Sequence, residues 1–354
     1  MGLTSTTEQV EMIRRKMVAC GSVQRRMEDE GRMKKSFAAL DDEEGSMVCV
    51  TSGVSYLGLA LVNHLLLRGY SVRITIDNPE DIQKLKEMED LGDMKTTEHN
   101  LEVIIAKIND VDSIQKAFEG CYGVFHTSAF IDPAGLSGYT KSMADIEVRV
   151  AEMVMEACAR TSSVKKCVFT SSLLACIWQD NTKPGLSHVI NHASWSNESY
   201  CTDKKLWYAL GKMRAEKAAW KIANERGLKL TTICPALITG PEFYPRNSTP
   251  TIAYLKGSQW MYYHGLLATV GVVKLAEAHV CVFKAMNTNA SGRYICFDHV
   301  IGSQREAENL ANEIGMPIDK ICGNAPNNSV HRFELSKDKL CTLMSRPLKC
   351  YSEY

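Results

Sequence analysis

Six short apolar runs, separated by stretches of helical periodicity, dominate the chain between Met47 and Cys234. They are MVCVTS (47–52), SVRITI (71–76), LEVIIAK (101–107), YGVFHTS (122–128), KKCVFTS (165–171) and LKLTTIC (228–234). Each is short and rich in β-branched or aromatic residues, as buried strands are. Between them, the spacing predicts helices over 56–68, 80–91, 110–119 and 138–160, and a further helix that carries Tyr208 and Lys212 to about Glu225. Strands that alternate with helices in this way build a parallel sheet covered on both faces. The chain is therefore expected to be α/β.

Composition narrows the partners. Lys plus Arg and Asp plus Glu both number 41, so no basic stripe invites nucleic acid. The 13 cysteines are scattered without CxxC pairs or histidine clusters, which predicts reduced thiols in a cytoplasmic compartment and no metal site. No apolar run reaches the roughly 18 residues of a membrane span. Residues 1–45 are charged and poor in aromatics, and read as a mobile or partly helical extension. Its start, MGLTST, fits the loose myristoylation pattern through Gly2 and Thr6. Glu8 and Glu11 fit a transit peptide poorly.

The first strand, turn and helix read Thr51-Ser52-Gly53-Val54-Ser55-Tyr56-Leu57-Gly58. Dinucleotide-binding turns place glycines where the chain bends and where backbone approaches the pyrophosphate, and the helix N-terminus receives the anion. Gly58 stands at the last glycine position, but Ser52 and Ser55 stand at the earlier two. A β-carbon there costs about 1–2 kcal/mol if the backbone is left-handed. The segment is either a cofactor cradle formed by Ser52, Gly53, Ser55, Tyr56, Leu57 and Gly58, or a structural turn. Asp77 lies 19 residues after Gly58, near the spacing of an acidic residue that accepts from the adenosine ribose. It would repel a 2′-phosphate by roughly 4 kcal/mol at 4 Å and an effective dielectric of 20, which favours NAD over NADP. Alternatively, Asp77 forms an Asx turn before Asn78-Pro79. Arg73, Gln83 and Lys84 are groups that could pull the preference toward the phosphate.

Tyr208 and Lys212 lie in KLWYALGK, four residues apart and so on one helical face. A lysine ammonium beside a phenol favours the phenolate, and a tuned phenol is a proton donor to a carbonyl. The string alone is common; its surroundings give it weight.

Taken in order, those surroundings resemble an extended short-chain dehydrogenase/reductase of the plant cinnamoyl-CoA reductase and dihydroflavonol reductase group. The resemblance runs from about Met47 to Cys296 and rests on GCYGVFHTS (120–128), VKKCVFTSS (164–172), WSNESYCTDKKLWYALGKMRAEKAAW (195–220), TTICPALITGP (231–241) and GRYIC (292–296). It implies a Rossmann-type doubly wound sheet over 46–240 with a smaller, mainly substrate-binding region over 241–354. It implies catalysis by Ser172, Tyr208 and Lys212: Ser172 orients the carbonyl, Tyr208 gives the proton, and Lys212 lowers the Tyr208 pKa and holds the nicotinamide ribose. Lys107, Ile108, Thr127, Ser128 and Pro235 join the cofactor-binding set. The expected partner is a small aromatic carbonyl compound or CoA ester, and the expected assembly a monomer or homodimer.

Departures from the family pattern sit on the cofactor side. Lys107 stands where an acidic residue near the adenine is usual, Asp77 where an arginine usually selects NADP, and VVKLAEAH (272–279) lacks its usual aspartate. Trp260, Tyr262 and Tyr263 read either as walls of an aromatic pocket or as ordinary core. His126, Cys167, Cys176 and Cys234 read as structural. His192 and Lys205 are weaker substrate contacts. The competing function is a nucleotide-binding sensor or scaffold with little chemistry, favoured by Ser52, Ser55 and Lys107 and opposed by the intact Ser172, Tyr208 and Lys212.

Overall fold

Alternating side chains on each central strand meet two different cores. The computed structural model describes residues 46–77, 100–127, 139–179, 188–323 and 333–345. The extension 1–45, the helix expected over 80–91, the Asx turn at 78–79, Gln83, Lys84 and Ser128 lie outside the described residues. A parallel sheet of seven strands holds β1 (Met47–Thr51), β2 (Ser71–Ile76), β3 (Leu101–Ile105), β4 (Gly123–His126), β5 (Lys166–Thr170), β7 (Lys229–Pro235) and β10 (Gly292–Cys296) in the order β10-β7-β5-β4-β1-β2-β3. Short pieces make two side sheets. One holds β8 (Leu237–Thr239), β9 (Ala268–Gly271) and β11 (His299–Val300); the other pairs β6 (Val189–Ile190) with β12 (Glu334–Leu335).

Helices of eight residues or more are numbered in chain order as α1 (Tyr56–Leu67), α2 (Val111–Phe118), α3 (Lys141–Arg160), α4 (Trp207–Arg226), α5 (Phe243–Tyr254), α6 (Val272–Ala285), α7 (Gln304–Glu313) and α8 (Asp338–Ser345). Val48 and Val50 of β1 face α1 and α6 through Leu61, Leu65, Leu275 and Phe283. Cys49, between them, faces α2, α3 and α4 through Phe118, Val154 and Ala219. The pleat's period of two thus explains why these strands are apolar throughout. The α/β doubly wound expectation holds.

By its apolar content alone, the stretch 266–286 reads as one helix. It divides into β9 and α6. Ala268–Gly271 pairs with β8 and β11, and a short apolar run cannot be told from a helical one by composition. The sequence over 287–296 reads as a turn and a strand, and it ends in β10, which pairs with β7 and completes the sheet.

Candidate active site

Strand order reverses between β1 and β4, since both neighbour each other while their connections run to opposite edges. In open α/β sheets the crevice at the carboxyl ends beside such a switch is where ligands bind. Here one cleft is lined by Ser55, Tyr56 and Leu57 after β1, Thr127 after β4, Ser171 and Ser172 after β5, Pro235 at the end of β7, and Tyr208 and Lys212 of α4. Thr127 fastens the switch: its Oγ1 donates to the Thr51 carbonyl at 2.5 Å and its N–H to Thr51 Oγ1 at 3.3 Å. His126 Nδ1 sits 2.9 Å from Thr51 Oγ1, and burial followed by the Lys212 charge presses its pKa to about 3, so the ring is a neutral structural group.

Only one of the two serines in the turn is strained. Ser52 has φ 54°, a left-handed conformation that glycine adopts at less cost. Ser55 is extended (φ −70°, ψ 162°) and serves as the N-cap of α1, its Oγ accepting from Gly58 N–H at 3.1 Å. The two glycines are required by space. A Cβ on Gly53 would stand 2.5 Å from Ile74 Cγ2, and one on Gly58 would strike the Ser52 carbonyl oxygen. The turn is therefore pressed against β2 and against itself, leaving the first turn of α1 open to the cleft. With Gly58 N–H capped by Ser55, the N–H groups of Tyr56 and Leu57 are left without acceptors within the helix, which suits a pyrophosphate.

At the other end of the cleft, α4 presents Tyr208 and Lys212 together, with Lys212 Nζ 5.7 Å from the Tyr208 ring centroid. Lys212 Nζ is also 2.5 Å from Glu147 Oε1, and both side chains are buried. Tyr139 donates to the other oxygen of Glu147 and packs edge-on against Tyr208 at 5.0 Å. This changes the expected electrostatics. Burial raises the Tyr208 pKa, Lys212 lowers it and Glu147 raises it, and the net shift is upward. Lys212 pulls as expected, but desolvation outweighs it because the phenol is enclosed. Lys212 itself stays charged, since Glu147 and Tyr208 offset its desolvation. Ser172 is buried at the β5 terminus, where its Oγ accepts from Leu174 N–H at 3.2 Å. Ser171 turns away and donates to Glu216 Oε2 at 2.7 Å.

Residues 49–304 match the model of the 3-beta hydroxysteroid dehydrogenase/isomerase family. The chain belongs to this family. It is 33% identical over 302 residues to cinnamoyl-CoA reductase 1 of Petunia hybrida, covering 84% of this chain and 86% of that protein. It is 32% identical over 271 residues to anthocyanidin reductase of Arabidopsis thaliana, covering 70% of this chain and 74% of that protein. Its fold matches yeast methylglyoxal/isovaleraldehyde reductase complexed with NADPH, with a TM-score of 0.62, 19% identity and coverage of 85% of this chain and 93% of that one. The protein is an NAD(P)-dependent oxidoreductase of the extended short-chain dehydrogenase/reductase type.

Within this oxidoreductase the remaining candidates separate. Asp77 Oδ1 accepts from Ile108 N–H at 3.1 Å, so the ends of β2 and β3 are joined, and Lys107 is exposed beside them with its N–H on Ser113 Oγ at 3.2 Å. Arg73 is not directed at a 2′-phosphate. Its Nε binds Glu102 at 2.8 Å and its Nη1 binds the carbonyls of Ala117 and Glu119 at 2.8 and 2.6 Å. Trp260 stacks on Trp178 and His264 at 4.9 and 4.3 Å, and neither it nor Tyr262 nor Tyr263 lines the cleft. Of the two readings of these aromatics, the packing one holds for Trp260 and Tyr262, whereas Tyr263 is exposed and fits neither. His192 and Lys205 also lie off the cleft lining. Cys167, Cys176 and Cys234 are buried.

Glu147 went unread in the sequence, although a signal existed. Met143, Ala144, Glu147, Val150, Ala151 and Val154 form the buried face of α3, and a carboxylate in such a stripe needs a buried partner. Glu216 is the parallel case on α4, one turn beyond Lys212.

Proposed function

We propose that this oxidoreductase reduces the carbonyl of an aromatic, phenylpropanoid- or flavonoid-like metabolite, presented as an aldehyde, a ketone or a CoA thioester. The observation that carries the reading is one cleft that brings Ser172, Tyr208 and Lys212 to the carboxyl ends of the strands beside the switch point. The crowded Gly53 and Gly58 turn fits a dinucleotide, because without β-carbons it packs against Ile74 and Ser52 and brings Ser55, Tyr56 and Leu57 to the cleft. Ser55, Tyr56, Leu57, Thr127, Lys212 and Pro235 would hold the cofactor, with Asp77 and Ile108 toward the adenosine. When bound, the reduced nicotinamide supplies hydride.

The protein's own part is proton delivery and orientation. The Ser172 hydroxyl donates to the carbonyl oxygen and fixes its position. Tyr208, held protonated by its raised pKa, gives its phenolic proton to that oxygen as negative charge develops. Lys212 stays charged against Glu147 and stabilises the phenolate left behind. The relatives' names support an aromatic substrate of plant secondary metabolism. The 11 described cysteines, all free thiols, fit a cytoplasmic enzyme, which we take to act as a monomer or homodimer.

The test is a screen of hydroxycinnamaldehydes, hydroxycinnamoyl-CoA thioesters and flavonoid ketones with NADPH and NADH. Tyr208→Phe should lower kcat by about a thousandfold or more while cofactor affinity stays within about twofold. Turnover retained in Tyr208→Phe would overturn the mechanism. Cofactor binding without turnover of any carbonyl would favour the scaffold reading.

A further inference from the structure

Behind the cleft, α3 and α4 approach closely at Gly211, and that approach brings a carboxylate to Lys212. A Cβ on Gly211 would stand 3.0 Å from Ala144 Cα. Glu147 lies one turn further along the same buried face of α3, and Lys212 is the residue after Gly211. Their side chains meet with Lys212 Nζ 2.5 Å from Glu147 Oε1, and only 4% and 8% of the two are exposed. Tyr139, just ahead of α3, donates to Glu147 Oε2 and sets its ring edge-on to that of Tyr208. One carboxylate therefore reaches the lysine directly and the proton donor through a second tyrosine. Tyr208 and Lys212 line the cleft, whereas Glu147 and Tyr139 do not. Glu147 can act on the chemistry only through the residues in front of it.

A lysine enclosed without a counterion is a buried cation, and it draws the proton off a neighbouring phenol. A carboxylate on its far side cancels much of that pull, because the phenol then faces a dipole instead of a net charge. The other titratable groups that face the trio among the described residues are His126 from β4, which is neutral, and Tyr254 from α5, whose phenol burial keeps protonated. Glu216, one turn beyond Lys212, is committed to Arg293. Glu147 is thus the carboxylate that balances Lys212. We propose that Glu147 is a positioning residue for the reduction: from behind Lys212 it neutralises the ammonium and, through Tyr139, seats the Tyr208 ring, so that the phenol donates beside a closed ion pair instead of an unbalanced cation. The inference rests on the reductase reading of this cleft. The opposing influences on Tyr208 agree with it, since Lys212 favours the phenolate and Glu147 the phenol.

The experiment is the pH profile of NADPH-dependent reduction of a hydroxycinnamaldehyde by the full-length protein and by Glu147→Gln. Glutamine keeps the shape and can still accept from Lys212, but it carries no charge. The fall of kcat/KM at high pH marks the loss of the Tyr208 proton. In Glu147→Gln that fall should come about one pH unit or more earlier than in the wild type, while NADPH affinity stays within about threefold. Glu147→Asp keeps the charge but withdraws it by one methylene, and its fall should lie between the two. A residue that merely packs α3 on α4 would lower the melting temperature in both variants and leave the profile in place; that result overturns the proposal. A titration of phenolate absorbance without substrate, taken as the difference from Tyr208→Phe, follows the same proton directly and separates the failures. An earlier Tyr208 titration in Glu147→Gln, with no carbonyl turned over by the wild type, keeps the influence of Glu147 on Tyr208 and removes the reductase reading. An unmoved titration with turnover intact keeps the reductase and removes the role of Glu147.

Discussion

Single residues at this site answer to their neighbours more than to their type. Ser52 and Ser55 look equivalent in the sequence, yet one is left-handed and the other caps a helix. Asp77 was legible as the acidic residue after β2, but its hold on Ile108 was not, because that contact joins strands 31 positions apart. The carboxylate makes a prediction for coenzyme choice. Asp77→Asn removes the repulsion toward a 2′-phosphate and should shift the ratio of NADPH to NADH affinity by about tenfold or more toward NADPH. Fluorescence titration with both cofactors checks this, and an unchanged ratio would mean that the ribose lies elsewhere. Tyr208 and Lys212 were readable from their spacing. The upward pKa of Tyr208 was not, because it depends on enclosure and on Glu147 from another helix.

At the scale of elements, the junction of α3 and α4 positions the chemistry. Gly211, between Tyr208 and Lys212, lies against α3, where a Cβ would stand 3.0 Å from Ala144 Cα and 3.2 Å from the Tyr139 hydroxyl oxygen. Backbone on the far side cannot yield as a flexible side chain would. Gly211→Ala should therefore push the helices apart, loosen Glu147 from Lys212 and cost about 1–3 kcal/mol. A lowered melting temperature with a lowered kcat is the expected outcome; unchanged kcat would show that the Glu147 contact does not tune the site. Most elements were legible because short apolar runs and helical periods are local signals. The failure at β9 arises where pairing partners override the local pattern, and α5, with Pro250 inside it and Asn247 off helical geometry, carries no clean helical period to read.

Across the whole molecule, buried neutral histidines tie stability to pH. His126 and His279 have folded pKa values of about 3 and about 4, depressed from 6.5 mainly by burial. His279 is held on both ring nitrogens, by Thr170 Oγ1 and the Leu275 carbonyl, each at 2.8 Å. A depressed value means that the unfolded chain binds protons first. The stabilisation is complete above 6.5 and is lost as pH falls toward the folded values. The melting temperature should fall steadily from pH 6.5 to about 4.5, before carboxylates such as Glu306 titrate at about 2. His279→Asn should flatten that slope in differential scanning calorimetry; a slope equal to the wild type would assign the acid sensitivity elsewhere.

The pair of Glu216 and Arg293 spans the molecule in another sense. Arg293 Nε and Nη2 hold Glu216 at 2.7 and 3.1 Å, both residues are buried, and Thr232 and Ser171 donate to the same carboxylate. Arg293 also reaches the carbonyls of His192 and Ser194 and lies 3.6 Å over the Trp195 ring. On the ribosome, α4 emerges long before β10 does. Until Arg293 leaves the exit tunnel, the helix that bears Tyr208 and Lys212 would have to bury a carboxylate without its counterion, at a cost of about 3–5 kcal/mol. The nascent enzyme therefore completes its catalytic wall late in synthesis, and a chain interrupted before β10 is one for a chaperone to hold.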